Sequence, residues 1–132
     1  MTELNELYKC NICGNIVEVI NPESGELYCC GEPMELLVEQ TSDDMYSEKH
    51  VPVVVIEGEK KIIRIGSVPH PMEKDHYITF IEAMSPDQKY LKRKYLNPGD
   101  APELDLKCCK CEEFTVRDYC NIHGLWSSKY PE

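Results

Sequence analysis

No run of apolar residues in this 132-residue chain approaches the roughly 20 that a membrane-spanning helix needs. Positive charge is also short: 14 Lys and Arg stand against 24 Asp and Glu, a net charge of -10. That deficit argues against a nucleic-acid-binding surface, which wants a basic face, and against attraction to anionic membranes. The opening residues, MTELNELYKC, have neither a basic n-region nor an apolar h-region, so no secretory signal is expected and the chain is expected in a reducing cytoplasm. No segment keeps a 3.6-residue apolar period, which predicts little helix, and there is no internal repeat or low-complexity tract. Histidine is scarce, with four in the whole chain and none before His50.

Cysteine is plentiful, with eight residues. In a reducing compartment these are expected as metal ligands or redox groups rather than structural disulfides. Hydrophobic content of 42% and charged content of 29% are those of an ordinary globular chain. Residues 1–37 hold four of the cysteines and little else from which a core could form. A unit below about 40 residues needs a metal, disulfides or a partner to fold. The polar stretch Glu39–Lys49 reads as a linker, which separates a first domain, 1–37, from a second, 38–132. Beyond it, VPVVVI, KIIRI, YITFIEAM, YLKRKYL, ELDLKC and FTVRDYC are short β-rich runs divided by turn formers. Turn signals at that spacing predict an all-β antiparallel sandwich or barrel.

YKCNICGN supplies Cys10-x-x-Cys13-Gly14, a turn that lets two thiolates share one metal while its amides point at the sulfurs. LYCCGEPM adds Cys29 and Cys30, which completes four thiolates in one short segment. Such a set suits zinc or iron. Adjacent cysteines, whose Cβ atoms point apart, predict a distorted tetrahedron, which iron tolerates and a structural zinc does not require.

A second constellation is dispersed. His50 lies in EKHVPV, His70 and His76 in GSVPHPMEKDHYI, and His123 in YCNIHGLW, where Cys120-x-x-His123-Gly124 is a ligand-style turn. Four imidazoles and one thiolate would form a five-coordinate site with a vacancy, which fits iron better than zinc. A competing reading joins Cys108-x-x-Cys111 to Cys120-x-x-His123 as a zinc-ribbon-like site and leaves His50, His70 and His76 idle.

Taken in order, YKCNICGNIVEV, LYCCGEPM, EKHVP, GSVPHPMEKDHYI, LNPGDAPE and YCNIHGLW resemble the desulfoferrodoxins, the two-iron form of superoxide reductase, over nearly the whole chain. The resemblance implies a small desulforedoxin- or rubredoxin-like metal-bound domain followed by an immunoglobulin-like antiparallel β-sandwich. It implies two non-haem irons per chain: one held by Cys10, Cys13, Cys29 and Cys30, the other by an equatorial His50, His70, His76 and His123 with Cys120 as axial ligand. The implied activity is one-electron reduction of superoxide to hydrogen peroxide, with a rubredoxin-like electron donor and a homodimeric assembly. It gives Lys49 the role of attracting superoxide and ordering a proton-donating water, and Glu48 that of approaching the ferric iron as a sixth ligand once product leaves. Cys108, Cys109 and Cys111 have no counterpart among those ligands and read as ordinary thiols. Two other classes stay open at this level: an iron protein that only shuttles electrons, and a zinc-stabilised binding module.

Overall fold

A computed structural model describes residues 1–41, 47–58, 60–66, 70–106 and 112–131; the side chains of Ser47 and Glu48 fall outside that description. Cys108, Cys109 and Cys111, and Pro69 before His70, also lie outside the described residues. The chain divides into two compact units, Met1–Val38 and Glu39–Glu132.

The first unit is built from very short strands. β1 (Leu7–Lys9) pairs antiparallel with β2 (Ile16–Glu18). β3 (Tyr28–Cys29) and β4 (Glu32–Pro33) form a separate hairpin, and β5 (Glu35–Leu36) pairs with the other edge of β1. Leu7, Cys10 and Val19 are its buried apolar residues. The β3–β4 hairpin turns on Cys30 and Gly31, both with positive φ (+54° and +77°). That combination is the type I′ turn, whose twist matches the flanking strands and in which Gly31 is at ease while Cys30 is not.

The second unit is an antiparallel β-sandwich. A four-residue helix, α1 (Ser47–His50), leads into β6 (Pro52–Glu57), which folds back on β7 (Lys60–Ile65); β10 (Glu103–Asp105) flanks β7 on the other side. The facing sheet runs β12 (Gly124–Tyr130), β11 (Phe114–Cys120), β8 (Ile78–Met84), β9 (Leu91–Tyr95). Alternation sends Ile63 and Ile65 from one sheet, and Ile81, Ala83 and Val116 from the other, into a shared core that includes Cys120; Ile78 joins it across the irregularity that skips Thr79 in the pairing of β8 with β11. Lys92 and Lys94 on β9 donate to the carbonyls of Asp105 and Glu103 on β10 (2.7 and 3.3 Å), tying the two sheets along that edge.

Five of the six β-rich runs became strands within a residue or two of their expected bounds. ELDLKC is shorter, with β10 ending at Asp105. Sequence reading missed β12, because GLWSSKY alternates only weakly and its burial is set by pairing all along β11. The expected linker is also partly structured: Gln40 pairs with β12, its amide donating to Leu125 O and its carbonyl accepting from the Ser127 amide (2.9 Å each). Among the described residues helix is confined to α1, and no helix there is long and apolar enough to cross a membrane.

Candidate metal centres

In the first unit, Cys10, Cys13, Cys29 and Cys30 place their sulfurs within 4.8 Å of one another. The Cys13 and Cys29 sulfurs are 3.6 Å apart and those of Cys29 and Cys30 3.9 Å. The left-handed backbone at Cys30 is what lets neighbouring thiols face one point instead of opposite sides. Across the site, the Gly14 amide donates to Cys10 O (2.9 Å) and the Cys13 amide approaches Cys10 Sγ (3.4 Å), closing the Cys10–Cys13 turn. The amides of Cys13 and Ile12 pull the Cys10 thiol down to about 6. Hydrogen bonding to Cys13 and then Cys10 pushes Cys29 up to about 12. Four sulfurs this close, with one poised as thiolate, form a cage that a thiophilic cation fits and four free thiols do not explain.

The second centre gathers residues from three separated stretches. α1 ends in His50; His70 and His76 lie on the loop between β7 and β8; Cys120 ends β11, and His123 lies in the turn to β12. His50, His70, His76 and Cys120 present ligand atoms within 4.8 Å of one another. His123 joins them: its Nδ1 is 3.1 Å from His50 Nε2 and 3.9 Å from Cys120 Sγ. Ring centroids run His50–His70 4.5 Å, His70–His76 4.8 Å, His76–His123 5.1 Å and His123–His50 4.7 Å, with His50 and His76 opposite at 6.5 Å. The four imidazoles thus form a closed ring of near-equal sides, each set across its neighbours. His50 and His70 point Nε2 at each other at 2.9 Å. Buried His76 Nε2 has no hydrogen-bond partner among the described residues. Converging lone pairs and an orphaned ring nitrogen are what a bound cation would satisfy, and four nitrogens with one sulfur exceed the tetrahedral set of a structural zinc.

Surrounding groups fix these ligand atoms. The Pro71 carbonyl accepts from His70 Nδ1 at 2.6 Å, which sets the tautomer and turns the Nε2 lone pair inward. Burial holds His70 down to about 4, so it stays neutral and able to ligate at physiological pH. His123 is lowered as well, first by burial, then by the charges of His76 and Lys49. Burial raises the Cys120 thiol, against the amides of His123 and Ile122 that lower it. A register shift between Tyr119 and Cys120 opposite β8 aims the sulfur, and a three-residue turn brings His123 back over it. Asn121 links the two loops: its Oδ1 accepts from the Tyr77 amide (3.0 Å) and its Nδ2 donates to Asp75 O (3.1 Å).

Lys49 is exposed, next to buried His50, and its charge reaches His123. The side chain of Glu48 lies outside the described residues. Sequence reading did not find Gln40, whose Nε2 donates to the His123 carbonyl at 2.6 Å, or Trp126, whose ring stacks on His50 (4.9 Å, 16°). It also passed over Asp118, buried beside Cys120 on the core side of β11, where burial raises its carboxyl well above the usual range. None of the three carries a motif; only strand pairing brings them to the site. The zinc-ribbon reading loses its second half here, since Cys120 and His123 are assembled with the three histidines it left idle.

Comparison with known proteins agrees with both units. A family model described as the desulfoferrodoxin N-terminal domain matches residues 2–37, and one described as desulfoferrodoxin matches residues 42–129. A desulfoferrodoxin homolog of Methanothermobacter thermautotrophicus is 53% identical over 96% of this chain and 99% of that protein. A superoxide reductase of Pyrococcus abyssi is 30% identical over 67% of this chain and 90% of that protein. The crystal structure of the superoxide reductase from Treponema pallidum superposes with a TM-score of 0.70, covering 93% of this chain and 95% of that one; at 24% identity it bears on the fold.

Proposed function

Because this chain belongs to the desulfoferrodoxin family, we propose that it is a superoxide reductase, converting superoxide, one electron and two protons to hydrogen peroxide without forming oxygen. The observation that carries this is the convergence of four imidazoles and one thiolate in the second unit, apart from the four-thiolate group. Cys10, Cys13, Cys29 and Cys30 would hold one iron in a domain spanning 1–37. His50, His70, His76, His123 and Cys120 would hold the other in a catalytic domain spanning 38–132. When bound, a ferrous iron at the second set supplies one electron and an open position for a small anion.

The chain's own residues do the rest. His70 is held neutral by burial, and the Pro71 carbonyl, which accepts from its Nδ1, turns the Nε2 lone pair inward. Cys120, fully buried, would give up its proton on binding a metal and ligate as thiolate, a strong electron donor. Lys49 puts a positive charge at the mouth of a chain whose net charge of -10 otherwise repels superoxide. Screening beyond ~8–10 Å makes that local charge count for more than the total. Glu48, the residue before Lys49, would approach the metal as a sixth ligand once product leaves. A rubredoxin-like donor and a homodimer complete the reading and rest on the family resemblance; a reducing cytoplasm is inferred from the opening residues, which carry no signal pattern.

Pulse radiolysis of the reduced, iron-loaded protein tests it: superoxide should disappear in a fast bimolecular reaction, with peroxide formed in equal amount and no oxygen released. A slow reaction would leave an electron carrier. In the same experiment Lys49→Ala should slow the bimolecular step about tenfold, within the range typical of electrostatic steering, and flatten its dependence on ionic strength. An unchanged rate constant removes Lys49 from the function.

A further inference from the structure

The outer face and edge of β9 carry a feature that the metal centres do not use. Four of the chain's 14 cations, Lys89, Lys92, Arg93 and Lys94, fall within six consecutive residues, in a molecule of net charge -10. Tyr90 lies among them and Tyr95 follows them, 74% and 70% exposed. Because β9 is the outermost strand of its sheet, this basic, aromatic segment lies along an edge: Arg93 and Tyr95 share its outer face, while the exposed Lys92 and Lys94 alternate to the other side and reach the β10 carbonyls.

Behind Tyr95 the rings continue inward. Cross-strand pairing sets Tyr95 opposite Phe80 on β8, and Phe80 opposite Tyr119 on β11. The Arg93 guanidinium lies over both outer rings, 5.9 Å from Tyr95 and 5.5 Å from Phe80, with Nη1 3.3 Å from the Tyr95 hydroxyl. Phe80 and Tyr119 stack at 6.1 Å and 11°. Below Arg93, Glu82 is fully buried between Arg93 and Arg117 (3.2 and 3.0 Å), which holds the guanidinium in place. Tyr119 is bonded through the backbone to Cys120, so the series of π-systems ends one residue from the sulfur of the second centre.

We propose that the β9 edge is the docking surface for a small acidic one-electron carrier protein, whose electron enters by Tyr95, Arg93, Phe80 and Tyr119 toward Cys120. The inference rests on the superoxide-reductase reading, which requires one electron per turnover. In the transfer the carrier is oxidised by one electron and the catalytic centre reduced by one; no bond forms or breaks. An acidic partner is repelled by most of this surface, so the basic edge both attracts it and sets its orientation. Nucleic acid would need a longer run of cations to track successive phosphates than one strand offers.

The test uses the full, iron-loaded chain with an acidic rubredoxin as probe. Calorimetric titration at low salt should show binding that Lys94→Glu weakens at least tenfold and that high salt abolishes. Lys94 also ties β9 to β10, so Lys89→Glu, on an exposed side chain at the preceding turn, is the second charge reversal and should weaken binding severalfold. Tyr95→Leu should leave binding intact while slowing stopped-flow reduction by the carrier about tenfold. All three variants, once reduced chemically, should react with superoxide at the parent rate. Unchanged binding in both charge reversals overturns the docking surface, as does tighter binding of a single-stranded oligonucleotide than of rubredoxin at the same edge. Unchanged transfer in Tyr95→Leu overturns the route. Failure of the chemically reduced parent to react with superoxide would instead sink the reading on which the proposal rests.

Discussion

Cys120→Ser is expected to lower the rate constant for superoxide reduction by more than about 100-fold while leaving the fold intact. Serine is close to cysteine in volume, and Cys120 is fully buried within the sandwich core, so no large cavity opens. What is lost is the polarisable sulfur that would ligate as thiolate, with the His123 amide lying 3.4 Å from it. A hydroxyl stays protonated and donates far less electron density to a metal. Losing even a group that merely orients a ligand typically costs 10–100-fold, so a direct ligand should exceed that range. Iron per chain, the thiolate-to-iron absorption band and the pulse-radiolysis rate constant should be measured together. A parent-like rate in a fully iron-loaded variant would remove Cys120 from the chemistry.

Cys13→Ser should have an effect as large but confined to the first unit. One iron per chain and its visible absorption should disappear, amide protection should collapse across β1, β2 and β5, and superoxide reduction by the pre-reduced protein should stay within about twofold of the parent. Leu7, Cys10 and Val19 are the unit's buried apolar residues, too few to offset the conformational entropy of ordering 38 residues. Cys30 adds to the cost, with its backbone at φ +54°. Metal binding to four thiolates, worth of order 10 kcal/mol in small metal-bound domains, is the term large enough to hold such a unit. Hydrogen exchange that stays slow in Cys13→Ser would mean that the short strands hold without the metal. A large loss of superoxide reduction with protection intact would instead put the first centre on the electron path.

The readable part of this protein was local. Cys10-x-x-Cys13-Gly14 is one turn, and the spacing of its thiols is set by backbone geometry within five residues. The Cys29-Cys30-Gly31 run is another, although the structure refined its meaning. Adjacent sulfurs were expected to distort the tetrahedron at the metal; the structure adds that they are brought to face one point by a left-handed backbone at Cys30, in a type I′ turn. The six β-rich runs were legible because alternation and turn residues act over a few neighbours. β12 was not, since it owes its burial to pairing with β11.

The second centre divides in the same way. Residue types and the Cys120-x-x-His123 spacing marked its candidates, and the ordered resemblance selected among them. Nothing in the chain's periodicity could bring His50 to 2.9 Å from His70 or 3.1 Å from His123. That closeness depends on how α1, the β7–β8 loop and the β11–β12 turn meet at one end of a sandwich. It depends too on groups with no signature of their own, such as the Pro71 carbonyl, Asn121 and Gln40. By itself the sequence determined which atoms could bind metal, since that is a property of side chains and short spacings. Only the tertiary structure decided which of them meet, because convergence and burial are properties of the packed sheets rather than of any one segment.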